Sequence, residues 1–195
     1  GVVFDEKNLD KLRHLGVKDS KLLSHKKRIE LAKEIKKIAK KIKIIQIKPE
    51  EIDKAVNKED GLNLNWLEAH KTAEIINELK PDKAIIDCPS PNIKKYKEYL
   101  LNLLKNKNIE LIVEHRAEKH YPVGAASILA KVVREDEIKE LKKKYGEFGS
   151  GYTSDPRTKK FVKENFDKYP EIFRKSWVTW KNHDQAKKQK KLDEF

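Results

Sequence analysis

The stretch that most constrains the fold runs from residue 80 to residue 145, where short apolar segments alternate with helical ones. Lys83-Ala84-Ile85-Ile86-Asp87 reads as a short buried strand, set off upstream by Pro81. A helix is expected over 91–106, carrying Tyr96, Leu100 and Leu104. Ile109 to His115 is a second strand, and Pro122 opens a long helix through Ala126, Leu129, Val133 and Leu141. Strands that alternate with helices pair in parallel, because each helix carries the chain back to the same end of the sheet. The chain is therefore expected to be an α/β protein.

The remaining segments fit around that frame. Leu9, Leu12 and Leu15 suggest a short helix ending before Gly16, and Ser24 is placed to cap the next one, with Ile29, Ala32, Ile35, Ala39 and Ile42 at helical spacing. Residues 1–4 and 42–47 read as strands on one side of the sheet, and Asn63 to Leu79 as a helix. Gly146 and Gly149-Ser150-Gly151 end the long helix, and Asp155-Pro156 supplies a cap and a first-turn proline for a helix through Phe161 and Phe166. From Lys181 the chain turns polar and Lys-rich, which reads as a tail rather than core. The expected organisation is an α/β domain over 1–145, a helical part over 146–180 and a basic tail over 181–195.

Charge narrows the partners. A net charge of +13 points to a polyanion, nucleic acid before membrane. A Lys/Glu-rich, heat-stable surface would explain the 39% charged residues, but explains the positive excess less well. The lone Cys88 rules out an internal disulfide framework and a CxxC zinc site. No apolar run approaches the ~20 residues of a membrane span, so a soluble, cytoplasmic monomer is expected. The sequence starts at Gly1 in an apolar strand, which reads as a chain entered partway through a fold.

Several residues carry candidate chemistry. Asp87 ends an apolar strand, and in open α/β sheets sites gather at the carboxyl ends of strands. Its carboxylate suits Mg²⁺ or Mn²⁺, or it caps the helix that follows. Glu135 and Asp136 lie midway along the long helix, with Ile128, Val132 and Glu135 on one face. A carboxylate there is costly unless paired or bound to metal, although a solvated acidic stretch is the competing reading. Tyr152 follows a glycine loop, where it either stacks on a sugar or base or covers a core edge. Lys18-Asp19-Ser20-Lys21 suits phosphate contacts. His115, Arg116, Glu118 and His120 form a polar cluster without convincing metal-ligand spacing, which favours a structural role or one supporting the residues of a site.

In order and spacing these segments resemble archaeal-type ribonuclease HII. Lys18-Asp19-Ser20-Lys21 resembles that family's K/R-D-S-K loop, and Asn63-Leu64-Asn65-Trp66-Leu67-Glu68 its L-N-x-L-E helix start. Asp87-Cys88-Pro89-Ser90-Pro91-Asn92 is similar to D-x-P-x-x-N, and His115-Arg116-Ala117-Glu118 to H-K-A-D. Tyr121-Pro122-Val123 with Ala125 to Val132 is similar to Y-P-V-V-S-A-A-S-I-I-A-K-V. Gly149 to Thr158 resembles G-S-G-Y-P-S-D-P-R-T, and Arg174-Lys175-Ser176-Trp177 resembles R-x-S-W.

The resemblance implies a ribonuclease H-like mixed sheet flanked by helices, with a C-terminal helical extension. It implies an endoribonuclease that uses four carboxylates with Mn²⁺ or Mg²⁺, acting on RNA–DNA hybrids and 5′ of ribonucleotides embedded in duplex DNA. Asp87 matches the third carboxylate, and an ungapped alignment puts Glu135 on the fourth, with Asp136 as substitute. Tyr152 matches the tyrosine that reads the 2′-OH, and Lys18, Ser20 and Lys21 match the substrate loop. The family's first strand, D-E-A-G-R-G-P, should precede Gly1 and is absent from this sequence. An inactive fragment that still binds hybrid duplex and a sliding clamp is therefore the second reading. Another ribonuclease H-like nuclease, a resolvase or integrase, fits the glycine loop less well. Gln189, Leu192 and Phe195 resemble the sliding-clamp binding pattern Q-x-x-L-x-x-F.

Overall fold

The structure, a computed structural model, describes residues 1–17, 23–59 and 61–193, and at 183, 186–188 and 190–193 the backbone alone. The elements in chain order are β1 (Val2–Val3), α1 (Leu9–Leu15), α2 (His25–Ile38), β2 (Lys41–Ile42), α3 (Pro49–Asn57) and α4 (Leu64–Leu79). They continue with β3 (Lys83–Asp87), α5 (Ile93–Leu103), β4 (Glu110–Glu114), α6 (Tyr121–Tyr145), α7 (Pro156–Asn165) and α8 (Val178–Asp193). Single 3₁₀ turns lie at Glu6–Asn8, Ala117–Lys119 and Pro170–Ile172.

Local chemistry sets most of these boundaries. The Ser24 side chain accepts the Lys27 N–H at the start of α2, Asn92 accepts that of Lys95 in α5, and Asp155 that of Arg157 in α7. Each supplies an acceptor to a helix-end N–H that has no partner within the helix. Gly16, at φ +66°, ends α1 in the left-handed conformation.

The chain divides into two compact units, Gly1–Ile45 with Asn65–Asp136, and Gln46–Leu64 with Glu137–Phe195. In the first, β3 and β4 pair in parallel, as the alternation predicts, with Ala84 opposite Leu111 and Asp87 opposite Glu114. Ala69, Ala73 and Ile76 of α4 and Tyr96 and Leu100 of α5 share a core with Ala84, Leu111 and Val113 of this pair. A second core joins Leu12 and Val17 to Leu31, Ala32 and Ile35 of α2 and to Ala125, Ile128 and Leu129 of α6. Leu12, Ile35, Leu100 and Ile128 are wholly buried, each such side chain contributing about 1.5–3 kcal/mol. At Gly124 the helix meets the chain so closely that a Cβ would stand 2.0 Å from the Val17 carbonyl oxygen.

In the second unit, Phe161 packs against Phe148 and Phe173 at 5.4 and 6.1 Å, and Trp180 against Phe166 and Phe173 at 5.7 and 5.8 Å. The Asp53 carboxylate ties α3 to the segment before α8, accepting the N–H groups of Lys175 and Ser176 and the Ser176 hydroxyl.

Two sequence expectations are corrected. The strand expected over 42–47 is only Lys41–Ile42. Beyond Lys43, whose N–H reaches the Gly1 carbonyl at 3.0 Å, no partner backbone continues that ladder among the described residues. The β1–β2 pair is antiparallel and forms a sheet of its own, not hydrogen-bonded to β3 or β4. Helix α3 lies beyond those expectations, although Pro49 at its start and Glu50 and Glu51 in its first turn are the usual signals; Lys58, in the left-handed conformation, ends it. The polar stretch from Lys181, expected to lie outside the core, is helical through Asp193. Its Ala, Lys, Gln and Leu residues are good helix formers whatever their polarity.

Candidate active site

The apolar run Ala84–Ile86 draws β3 into the core and leaves Asp87 exposed at its carboxyl end. The Ala117 N–H donates to Asp87 Oδ1 at 3.3 Å. That N–H belongs to the 3₁₀ turn after β4, entered through Arg116 at φ +56°. The turn is tied back to β3 and β4 by several bonds. Cys88 N–H donates to the Glu114 carbonyl at 2.9 Å, and His115 Nδ1 lies 3.2 Å from the Cys88 carbonyl. The Glu114 carboxylate meets Lys119 Nζ at 3.0 Å and His120 Nε2 at 2.6 Å. Lys119 and His120 together outweigh burial and hold that carboxyl below the usual range. Glu118, half-buried, is the residue after Ala117 in the same turn. The sequence reads the His115–His120 segment as structural or as support for a site, and it also puts an acidic residue, Glu118, just past a strand that runs parallel to β3.

Glu135 lies on α6, about 21 Å along the axis from Tyr121 at ~1.5 Å per residue. Arg28 Nη2 donates to its Oε1, Arg28 Nε to its Oε2 at 3.4 Å, and His25 Nδ1 is also paired with Oε2. The same guanidinium donates through Nη1 to the Leu23 carbonyl. Burial pushes the Glu135 carboxyl up, but Arg28 and then His25 outweigh it and hold it below the usual range. The structure thus pairs Glu135 with α2, while Asp136, the next residue, is exposed.

Carboxylate oxygens at a strand end are the donors that a hard divalent cation takes. Among the described residues no three or more His, Cys, Asp or Glu side chains converge as a metal cage. Asp87, exposed at its strand end, suits the other common mode. There, one or two carboxylates hold the ion, and water and substrate phosphate complete the shell.

In the second unit the loop before α7 holds Tyr152 outward, 52% exposed. Gly149 and Gly151 have φ of +76° and +73°, and a Cβ on Gly149 would stand 2.6 Å from the Asp155 carboxylate. That carboxylate accepts the Ser150 N–H at 2.8 Å and the Arg157 guanidinium at 3.0 Å. Arg157 and then the Ser150 N–H hold it far below the usual carboxylate range. The Gly151 N–H donates to the buried Thr158 hydroxyl, which donates in turn to the Phe148 carbonyl at 2.7 Å.

Lys18, Ser20 and Lys21 lie outside the described residues, as does Phe195. Gln189 is exposed on α8, and Leu192 is placed in the same helix by its backbone. No helix among the described residues is long and apolar enough to cross a membrane.

The model of the family Ribonuclease HII matches residues 1–180. The chain is 43% identical to Ribonuclease HII of Pyrococcus furiosus over 203 residues, covering 100% of this chain and 88% of that protein. Among solved structures it is similar to the ribonuclease H2 of Pyrococcus horikoshii OT3, with a TM-score of 0.83 and 39% identity over 94% of this chain and 87% of that one. It is also similar to the chain in the PCNA:RNase HII complex of Archaeoglobus fulgidus, with a TM-score of 0.76 and 40% identity over 89% of this chain and 82% of that one. The strand-end carboxylates thus sit on a ribonuclease H-like mixed α/β fold, and the chain belongs to the ribonuclease HII family.

Proposed function

We propose that this chain is a divalent-metal-dependent endoribonuclease that hydrolyses the RNA strand of RNA–DNA hybrids and cuts 5′ of ribonucleotides embedded in duplex DNA. The observation that carries this reading is Asp87, exposed at the end of β3 and bonded by the turn that bears Glu118. These two carboxylates would hold Mn²⁺ or Mg²⁺. When bound, the ion supplies Lewis acidity for the attacking water and the departing 3′-oxygen. Glu135, with Asp136 beside it, is the second candidate ligand, reachable only by giving up Arg28 and His25.

Tyr152 contributes recognition. Its hydroxyl pairs with a 2′-OH, the group that separates RNA from DNA, and its ring lies against the sugar. The bonds from Asp155 and Thr158 to its loop favour that role, because a reader of one hydroxyl needs a fixed backbone. Lys18, Ser20 and Lys21 contact phosphates, and the net charge of +13 draws the duplex in. In this reading the protein acts in the cytoplasm.

The test is a DNA duplex carrying one ribonucleotide, incubated with the chain and Mn²⁺ or Mg²⁺. Cleavage 5′ of the ribonucleotide, leaving a 3′-hydroxyl and lost in Asp87→Asn, supports the reading. Cleavage unchanged by Asp87→Asn overturns it, and binding without cleavage favours the inactive binding fragment.

The same reading extends to a sliding clamp held through Gln189, Leu192 and Phe195, supported by the similarity to the RNase HII of the PCNA complex. The three residues match the pattern Q-x-x-L-x-x-F, whose aliphatic and aromatic anchors would fill a pocket on the clamp. Removing residues 189–195 should abolish clamp binding by calorimetry and leave cleavage of the duplex unchanged.

A further inference from the structure

We propose that Glu114 is a positioning residue of the strand-end site, latching in place the turn that faces Asp87. This rests on the reading of Asp87 as a metal-holding carboxylate.

Asp87 and Glu114 are opposite each other in the parallel register, so their side chains project from the same face at the same end of the sheet. Yet the two carboxylates are employed differently. Both oxygens of Glu114 are committed, Oε1 to His120 Nε2 at 2.6 Å and Oε2 to Lys119 Nζ at 3.0 Å. Its carbonyl accepts the N–H of Cys88, the residue after Asp87. Lys119 ends the 3₁₀ turn, and the His120 carbonyl accepts the N–H groups of Val123 and Gly124 at 3.0 Å in the first turn of α6. One side chain thus fastens the end of β4 to the far side of the turn and to the start of α6.

The turn needs fastening. It is entered through Arg116 in the left-handed region, which a side chain with a Cβ does not adopt without support. If it relaxed, the Ala117 N–H would leave Asp87 Oδ1, and Glu118 would move with it. Glu114 therefore acts on a bound cation through geometry, by fixing where Asp87 and Glu118 present their oxygens. Groups that orient metal ligands from behind affect affinity about 10- to 100-fold.

The experiment is Mn²⁺ titration of the full 195-residue chain without nucleic acid, with free Mn²⁺ read by electron paramagnetic resonance, alongside thermal melts of every variant. Glu114→Gln is expected to weaken Mn²⁺ binding about 10-fold or more, and His120→Asn to weaken it comparably. Combining the two should add little, because they break one latch. Unchanged affinity in both single variants, with Asp87→Asn abolishing binding, overturns the latch and leaves the reading of Asp87 standing. Loss in Glu114→Gln with none in a variant carrying both Lys119→Met and His120→Asn also overturns it, and makes Glu114 a ligand. If Asp87→Asn binds Mn²⁺ as the unsubstituted chain does, or that chain shows no saturable binding, the underlying reading of Asp87 fails instead.

Discussion

Two carboxylates stand out in the sequence, Asp87 and Glu135, and the fold treats them in opposite ways. Asp87 is exposed at the end of β3, and the Ala117 backbone N–H donates to it at 3.3 Å. Glu135 is held on α6 by a guanidinium and an imidazole, with its side chain 23% exposed and that of Arg28 13% exposed. A strand end projects its last side chain past the core, so a carboxylate there keeps lone pairs for a ligand. A helix interior that packs on another helix brings the carboxylate up against whatever the neighbour offers, here Arg28. An acidic residue on an apolar face is thus evidence that something cationic meets it, and an arginine answers that need as well as a metal does.

Cleavage is where the contrast is expected to be largest. Asp87→Asn and Glu118→Gln should each lower the rate on a ribonucleotide-bearing duplex by about three orders of magnitude, the scale of several kcal/mol of transition-state stabilisation. Glu135→Gln should stay within several-fold of the unsubstituted chain per folded molecule. Single-turnover rates at saturating Mn²⁺ decide the matter. A rate lost in Glu135→Gln and kept in Glu118→Gln would reverse the assignment of the second ligand.

Stability should show the opposite order. Glu135→Ala leaves a mostly buried guanidinium without its carboxylate, for which a loss of about 2–4 kcal/mol is expected. Asp87→Asn gives up one exposed contact and should change stability by less than about 0.5 kcal/mol. Urea denaturation of the two variants side by side measures the difference, and equal midpoints would break the comparison. Gly124→Ala comes next in size. Its methyl would stand 2.0 Å from the Val17 carbonyl oxygen, which is backbone and cannot swing aside. A loss of about 1–3 kcal/mol in the same assay is expected, and a neutral result would mean that α6 slides freely past Val17.

The sequence made the α/β alternation over 80–145 legible, because strand and helix lengths differ and Pro81 and Pro122 mark the boundaries. It made Asp87 legible for the same reason, as the residue at which an apolar strand stops. The caps Ser24 and Asp155 could be read directly, since each acts on an N–H within three residues. The length of β2 was not legible, because alternation in Ile42–Ile47 says nothing about how much partner backbone lies beside it. The pairing of Glu135 was hidden for a related reason. Arg28 is 107 residues away in the chain, and no local pattern announces a contact at that separation. Glu118 stands out only through the strand that delivers it, because its spacing to nearby histidines carries no metal-ligand pattern.

A third carboxylate, Glu68, sharpens the comparison because it has neither role. Its Oε2 is shielded from solvent and makes no hydrogen bond, and burial pushes its carboxyl up from the ordinary range. It lies near Tyr96, a core residue whose hydroxyl bonds to Thr72. A carboxyl whose pKa is raised by folding binds its proton more tightly in the folded state. No penalty exists below the unfolded value of ~4.3, and the full penalty is present once pH has risen above the folded value. Glu68→Gln should therefore stabilise the fold at pH 7 and do nothing near pH 3. The group is partly exposed, and solvent screening keeps the expected gain under about 1 kcal/mol. Melting curves of the two chains across that pH range should converge at the acid end. Curves that stay parallel, or a variant less stable at pH 7, would show that Glu68 is held as an anion by a partner.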